Sequence, residues 1–266
     1  MTREHWIETE IPLRLDRLPW SRFQWQHALV PARTLLLGIY GLFGFHFLLF
    51  LALRTAPAVE ANLVNYLWPL LIVVLAPVFH KGTRLHWRQV LAALAGFSGA
   101  VWVITGGQVI DLQINVGYLA ALGSAFIWAT YSLMTQRVPA FHTAAIGSFG
   151  LVSGVLSLAC HFALETPVTI SNQDSLLLIW MGLGPLGLAF YLWDAALKNG
   201  RAQQIGLLSF LTPLGSTILL LLDRQEALTP TVAWAALLIV GGAWLGRTVN
   251  TEAANDPYFE KPERSN

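Results

Sequence analysis

Ala61 to Leu71 reads ANLVNYLWPLL, and a related stretch, GLLSFLTPLGS, returns at Gly206 to Ser216 with Pro213 standing where Pro69 stands. Both lie inside long apolar runs, so the fold turns on why a segment suited to lipid carries Asn62, Asn65, Tyr66, Trp68 and a proline so close together. The surroundings are those of a membrane protein. Of 266 residues, 55% are hydrophobic and only 12% charged, far from a soluble domain. Several leucine-rich runs reach the roughly 20 residues that cross a hydrocarbon core as helix, and their continuity excludes alternating outer-membrane strands. The expected fold class is an all-α polytopic membrane helix bundle.

Apolar runs between charged or turn-rich breaks give eight candidate spans, at 34–53, 59–79, 89–106, 116–137, 144–164, 175–197, 204–222 and 231–246. Assigning loops to alternate sides puts Arg3, Arg14, Arg17, Arg22, Arg33, Lys81, Arg84, Arg88, Arg137, Lys198, Arg201, Arg247, Lys261 and Arg264 on the side of both termini. Only Arg54 and Arg224 fall opposite. A bias of fourteen to two supports the span count and predicts both termini in the cytoplasm of a bacterial-type inner membrane. The N-terminus MTREHWIETE lacks the apolar core and cleavage site of a signal peptide. The single cysteine, Cys160, excludes a disulfide framework, and no cofactor or metal motif appears.

The repeat extends beyond the opening stretch. A displacement of 144 residues places NYLWP (Asn65 to Pro69) on SFLTP (Ser209 to Pro213) and FLALRTAPA (Phe50 to Ala58) on DAALKNGRA (Asp194 to Ala202). A displacement of 143 places AALAGFSGA (Ala92 to Ala100) on AALLIVGGA (Ala235 to Ala243). An odd number of spans separates each copy from its mate, so the copies enter the bilayer from opposite sides, the inverted plan of many secondary transporters. The halves are unequal. Residues 116–246 hold five spans and residues 34–106 three, as though the first half lacked its opening pair; 1–33 and 247–266 read as cytoplasmic segments.

Asn62, Asn65, Tyr66 and Pro69 share one helical face with Trp68 beside it, and their copies are Gly206, Ser209, Phe210 and Pro213. Ser124, Trp128, Tyr131, Ser132 and Thr135 form a third stripe. Such faces point at one another as packing contacts, or at a wet cavity. Pro69 and Pro213 withdraw an N–H from the carbonyls of Asn65 and Ser209, which marks a static kink or a hinge. His46, mid-helix between two phenylalanines, is a hydrogen-bonded packing residue, a cavity wall or a proton acceptor. Asp194 one turn before Lys198 reads as an interfacial ion pair. GLGPLG, Gly182 to Gly187, follows no strand and is helix packing rather than a nucleotide loop; no GxxxxGK[ST] occurs. Nothing in the spans resembles a catalytic pair, and the chain does not read as an enzyme or a nucleic-acid binder.

NYLWP, FIWATYS (Phe126 to Ser132) and SFLTP resemble the EamA type of the drug/metabolite transporter superfamily, and within it the aromatic amino acid exporter branch, from about Thr34 to Arg247. The resemblance implies ten helices in two inverted five-helix repeats around a central cavity, with Tyr66, Trp68 and Trp128 lining it. Residues 34–106 would then be an incomplete first EamA repeat and 116–246 a second, the first two helices being absent. The expectation is a secondary exporter of small zwitterions, amino acids with aromatic or large apolar side chains, working by alternating access in the lipid bilayer. Tyr66, Trp68, Trp128, Tyr131 and Phe210 would surround the side chain, with His46 nearby, while Asn62, Asn65 and Ser209 take the polar end. The alternatives are another small metabolite or a drug as substrate, or a non-transporting membrane subunit.

Overall fold

The structure, a computed structural model, describes residues 28–80, 83–108, 115–166 and 168–254, with side chains through Gly246. Most of the N-terminal segment, the tail beyond Ala254, and the cations Arg3, Arg14, Arg17, Arg22, Lys81, Lys261 and Arg264 lie outside these residues. Eight helical rods make up the described chain: α1 Ala32–Thr55, α2 Ala58–Phe79, α3 Trp87–Thr105, α4 Gly117–Met134, α5 Ala145–Leu164, α6 Asn172–Asn199, α7 Ala202–Asp223 and α8 Pro230–Ala254. All but α4 and α8 are long and apolar enough, as whole helices, to cross a membrane. The protein is thus an all-α polytopic membrane bundle with six such helices. Helix ends differ from the apolar runs by a few residues. α6 begins earlier than 175 because Ser171 caps it, exchanging hydrogen bonds with Asp174.

Successive rods reverse direction. Arg54 at the end of α1 meets Glu165 just beyond α5, and Gly117 at the start of α4 lies against Thr55 and Ala56. At the opposite end Gln136, past α4, donates to the Leu197 and Gly200 carbonyls at the end of α6, and Arg137 donates to the Val78 carbonyl at the end of α2. The ends therefore sort the cations as the loop assignment does. Arg137, Lys198 and Arg201 lie at one end, Arg54 and Arg224 at the other.

α3 and α8 pack antiparallel at backbone distance. Gly107 faces Thr231, Gly99 faces Ala235, and Gly242 faces Ala92 and Gly96. A Cβ added at Gly99 would stand 2.9 Å from the Ala235 carbonyl oxygen, and one at Gly242 would stand 2.7 Å from that of Ala92. Small residues allow this approach, which supplies dispersion contact that lipid cannot offer. α1 is held in the same manner, with Gly38 under the Phe149 ring of α5 and Gly41 under the Tyr131 ring of α4.

The prolines act differently from a simple kink. α2 is two helices, Ala58–Asn65 and Trp68–Phe79, joined by a turn at Tyr66 and Leu67. Pro69 stands in the first turn of the second piece, where the missing N–H costs nothing. α7 breaks alike at Phe210, between Ala202–Ser209 and Leu211–Asp223, with Pro213 just after the break. A π-helical turn interrupts α1 at Tyr40–Gly44 and α6 at Gly184–Leu188. Each interruption lies 144 residues from its counterpart, and the same displacement carries Ala58–Phe79 onto Ala202–Asp223.

Candidate functional site

Helices α1, α2, α4 and α6 meet in a cluster of aromatic rings centred on Trp128. Its ring centroid lies 5.2 Å from Phe45, 5.3 Å from Tyr131, 5.5 Å from Phe190, 5.7 Å from Trp193 and 6.4 Å from Trp68. Trp68 and Trp193 meet edge to face at 5.3 Å. Trp128 and Tyr131 are 6% and 2% exposed and make the floor; Trp68, Phe190, Trp193 and His46 are half-buried and make the rim. These distances are those at which ring quadrupoles attract, each pair adding about 0.5–1.5 kcal/mol beyond burial.

Polar groups stitch the cluster to its helices. Trp193 Nε1 donates to Ser132 Oγ at 3.1 Å, and Ser132 donates to the Trp128 carbonyl at 2.8 Å. Tyr40 Oη and Thr130 Oγ1 are 2.8 Å apart. Beside the break in α2, Ser124 donates to Asn65 Oδ1 at 2.7 Å, joining α4 to α2 where both are buried. His46 bonds through Nδ1 to the Leu42 carbonyl at 2.7 Å and meets Phe190 edge to face at 5.6 Å. That bond spends one ring nitrogen locally and turns the ring toward α6.

The sequence-derived candidates therefore separate. His46, Trp68, Trp128 and Tyr131 come together, and Asn65 stands next to them through Ser124. Asn62 and Tyr66 are half-buried on α2, Tyr66 within the turn itself. Phe210 does not reach the rings. It is 0% exposed, packed over Gly96 and against Ala235 and Ile239 in a second core between α3, α7 and α8. Ser209, half-buried beside it, donates to its own helix at the Gly206 carbonyl, 2.6 Å away. Trp193, Phe190 and Phe45 were not among the candidates. The repeat held the signal for one of them, since His46 displaced by 144 falls on Phe190.

At the end of the bundle near the α4–α5 loop lies an ion pair. Lys198 Nζ donates to Asp194 Oδ2 at 2.5 Å and to Thr143 Oγ1 at 3.1 Å. Asp194 is 2% exposed, so the pair, at the bundle end, is buried at its acidic side. At the same end Arg137 stacks over the Phe79 ring, and burial first, then the Arg137 charge, holds the His80 imidazole below its ordinary pKa. Among the described residues no group of His, Cys, Asp and Glu is arranged to hold a metal.

Known proteins share this architecture. A solved crystal structure superimposes with a TM-score of 0.74 and 37% identity, covering 85% of this chain and 79% of its own. An aromatic amino acid exporter YddG from Ancylobacter novellus is 39% identical over 88% of this chain and 78% of its own length. Salmonella typhimurium has a protein of that name, 28% identical over 71% of this chain and 66% of its own. The EamA-like transporter family matches residues 11–105 and 115–247, reaching further toward the N-terminus than Thr34. A bundle of apolar helices interrupted at matching places, with polar and aromatic groups gathered inside it, is what such a transporter requires, and the chain belongs to the EamA-like transporter family of multi-pass membrane proteins.

Proposed function

We propose that this chain exports amino acids with aromatic or large apolar side chains across the inner membrane by alternating access. The observation that carries this reading is the aromatic cluster, four helices contributing to rings with a buried floor of Trp128 and Tyr131 and a half-buried rim. Rings that pack on one another pack equally on a ligand's ring, and the broken α2 places Asn62, Asn65 and Tyr66 beside it for the polar end. Two of the relatives are named aromatic amino acid exporters, which supports the same reading. Phe210 and Ser209 serve in this reading as the matching break in α7, with Pro213, as Pro69 does in α2.

Eight spans, both termini cytoplasmic and an inverted repeat belong to the same proposal. Matching interruptions 144 residues apart, and the antiparallel contact of α3 with its own copy α8, support it. Efflux of labelled phenylalanine from proteoliposomes, with a competition panel, tests the substrate class. Trp128→Ala should lower efflux about tenfold for phenylalanine, a loss of about 1.4 kcal/mol of ring contact, while the folded protein elutes as wild type. Equal competition by apolar and polar amino acids would leave export standing and remove the aromatic preference.

A second reading rests on α6. No residue of α6 before Asp194 is buried, whereas α1, its repeat counterpart, packs on α4 and α5. A chain presenting such a helix suits association with further apolar helices, as a subunit would. Absence of any solute-dependent flux, with a stable larger assembly in the membrane, favours that reading over export.

A further inference from the structure

A cavity of about 430 Å³ opens at the bundle end that gathers the C-termini of α4 and α6, lined among others by Thr135, Gln136, Phe141, Asp194 and Lys198. This volume falls within the about 300–1,000 Å³ typical of small-molecule sites. The cavity is distinct from the aromatic cluster but adjacent to it. Asp194 follows Trp193 directly, and Thr135 stands one turn beyond Ser132, the acceptor of the Trp193 indole.

Its chemistry is unusual for a helix end. Asp194 is almost fully buried, paired with Lys198 at 2.5 Å, while the ammonium also holds Thr143 and sits 4.0 Å from the Phe141 ring centroid. Gln136 ties the end of α6 to α4 through the Leu197 and Gly200 carbonyls, so the turn does not depend on the ion pair. A pair buried at one end is a poor device for stability, because desolvation offsets most of the attraction. Its value lies in exchange.

We propose that this cavity is a second binding station for a zwitterion, in which the ligand's ammonium takes Asp194 and its carboxylate takes Lys198, opening the internal pair. The proposal rests on the amino-acid reading above and deepens it. Bonds of about 1.46 and 1.52 Å on either side of Cα keep the two charges of an α-amino acid close together, much as the charges of the pair they replace. A cation would satisfy Asp194 and strand Lys198, and an anion would do the reverse. Only a ligand bearing both signs closes both contacts, and Phe141 offers its side chain a ring. The station selects net-neutral solutes by charge balance, before the aromatic cluster selects by shape.

The test uses the full chain in nanodiscs, with Thr135→Cys in a Cys160→Ser background, reading the rate of maleimide modification. Phenylalanine, its methyl ester and its N-acetyl derivative serve as zwitterion, cation and anion at about pH 6, where the ester's amine is protonated. Phenylalanine should slow modification about tenfold more than either analogue, since the N-acetyl derivative leaves the buried Asp194 carboxylate unpaired and the ester leaves the Lys198 ammonium without a carboxylate. Lys198→Met should transfer protection to the ester, and Asp194→Asn to the N-acetyl derivative. A merely structural pair would lose protection by all three ligands equally, which overturns the proposal. Should a single variant misfold, the neutral double variant Asp194→Asn with Lys198→Met decides: undiminished protection by phenylalanine in that folded protein also overturns it. Export by the parent protein without any protection at position 135 would sink the station and leave the export reading intact. Neither export nor protection would sink both.

Discussion

Asn65 spends its side-chain carbonyl on the Ser124 hydroxyl, so the residue that breaks the apolar pattern of α2 is also the one that fastens α2 to α4. A buried amide left without a partner would cost roughly 2–7 kcal/mol in hydrocarbon, which is why helical spacing made Asn65, Ser124 and Trp128 legible as interior positions. The same reasoning could not place Phe210. Periodicity tells which residues share a face, not which neighbour that face meets, and the ring is seated over Gly96 by a packing that only tertiary structure specifies. Trp193 escaped notice because the polar residues beside it, Asp194 and Lys198, read as an ion pair with each other. At the opposite bundle end from Lys198, Glu165 accepts from His161 Nδ1 at 2.6 Å and from Arg54 at 2.6 Å. The His161 hydrogen bond foremost, then the charges of Arg54 and His161, hold its carboxyl below the ordinary range. As pH falls, the unfolded chain takes up this proton first. The contribution is therefore whole above the ordinary value of about 4.3 and is lost as pH falls through the depressed one. Thermal melts in detergent should show stability dropping across that acid window, with a smaller drop for Glu165→Gln; identical profiles would remove the pair from the account.

At the scale of elements, the interruptions matter more than the helices. Apolar runs located all eight rods, yet neither π-helical turn, Tyr40–Gly44 or Gly184–Leu188, could be read from them, because one extra residue per turn leaves hydropathy unchanged. The breaks at Tyr66 and Phe210 were legible only as prolines three residues further on. A proline tolerated at a first turn follows the break rather than making it. The α3–α8 pair is a further case. AALAGFSGA and AALLIVGGA looked like a repeat of small residues, and in the structure each copy packs on the other, Gly99 on Ala235 and Gly242 on Ala92. The 143-residue displacement exchanges the two contacts, Ala92 becoming Ala235 and Gly99 becoming Gly242, as the proposed inverted repeat requires. A backbone carbonyl stands within 3.0 Å of the added methyl at each glycine, joined at Gly99 by the buried Ile239 side chain at 2.7 Å, so neither methyl has room. Gly99→Ala and Gly242→Ala should each cost about 1–3 kcal/mol, and by similar amounts. Melting temperatures of the two variants check this. A large effect at one glycine and none at the other would break the equivalence.

For the whole molecule, the proposed inverted repeat, with a local two-fold axis between its antiparallel mates, would constrain how the bundle meets the bilayer. α3 and α8 run in opposite directions, so the axis lies across them, and if they span the membrane it lies in the membrane plane. Arg54 and Lys198, which the 144-residue displacement superimposes, then stand at opposite surfaces, and their partners differ accordingly. Arg54 pairs with the exposed Glu165, Lys198 with the buried Asp194. In that proposal the repeat supplies one shape, and the loops and their charges set which end faces which compartment. In the proposed orientation, the bias of fourteen cations to two would put the α4–α5 loop and the Lys198 end in the cytoplasm, where a membrane potential and anionic lipid favour them. Ala140 and Ser171 are exposed at the two ends. With Cys160→Ser as background, an impermeant maleimide applied to intact cells should modify Ser171→Cys and spare Ala140→Cys until the membrane is broken. In that orientation the proposed export would begin at the Lys198 end, so the proposed charge-balancing station would meet the solute first and the aromatic cluster second. The reverse labelling pattern would invert that order and turn the station into an exit.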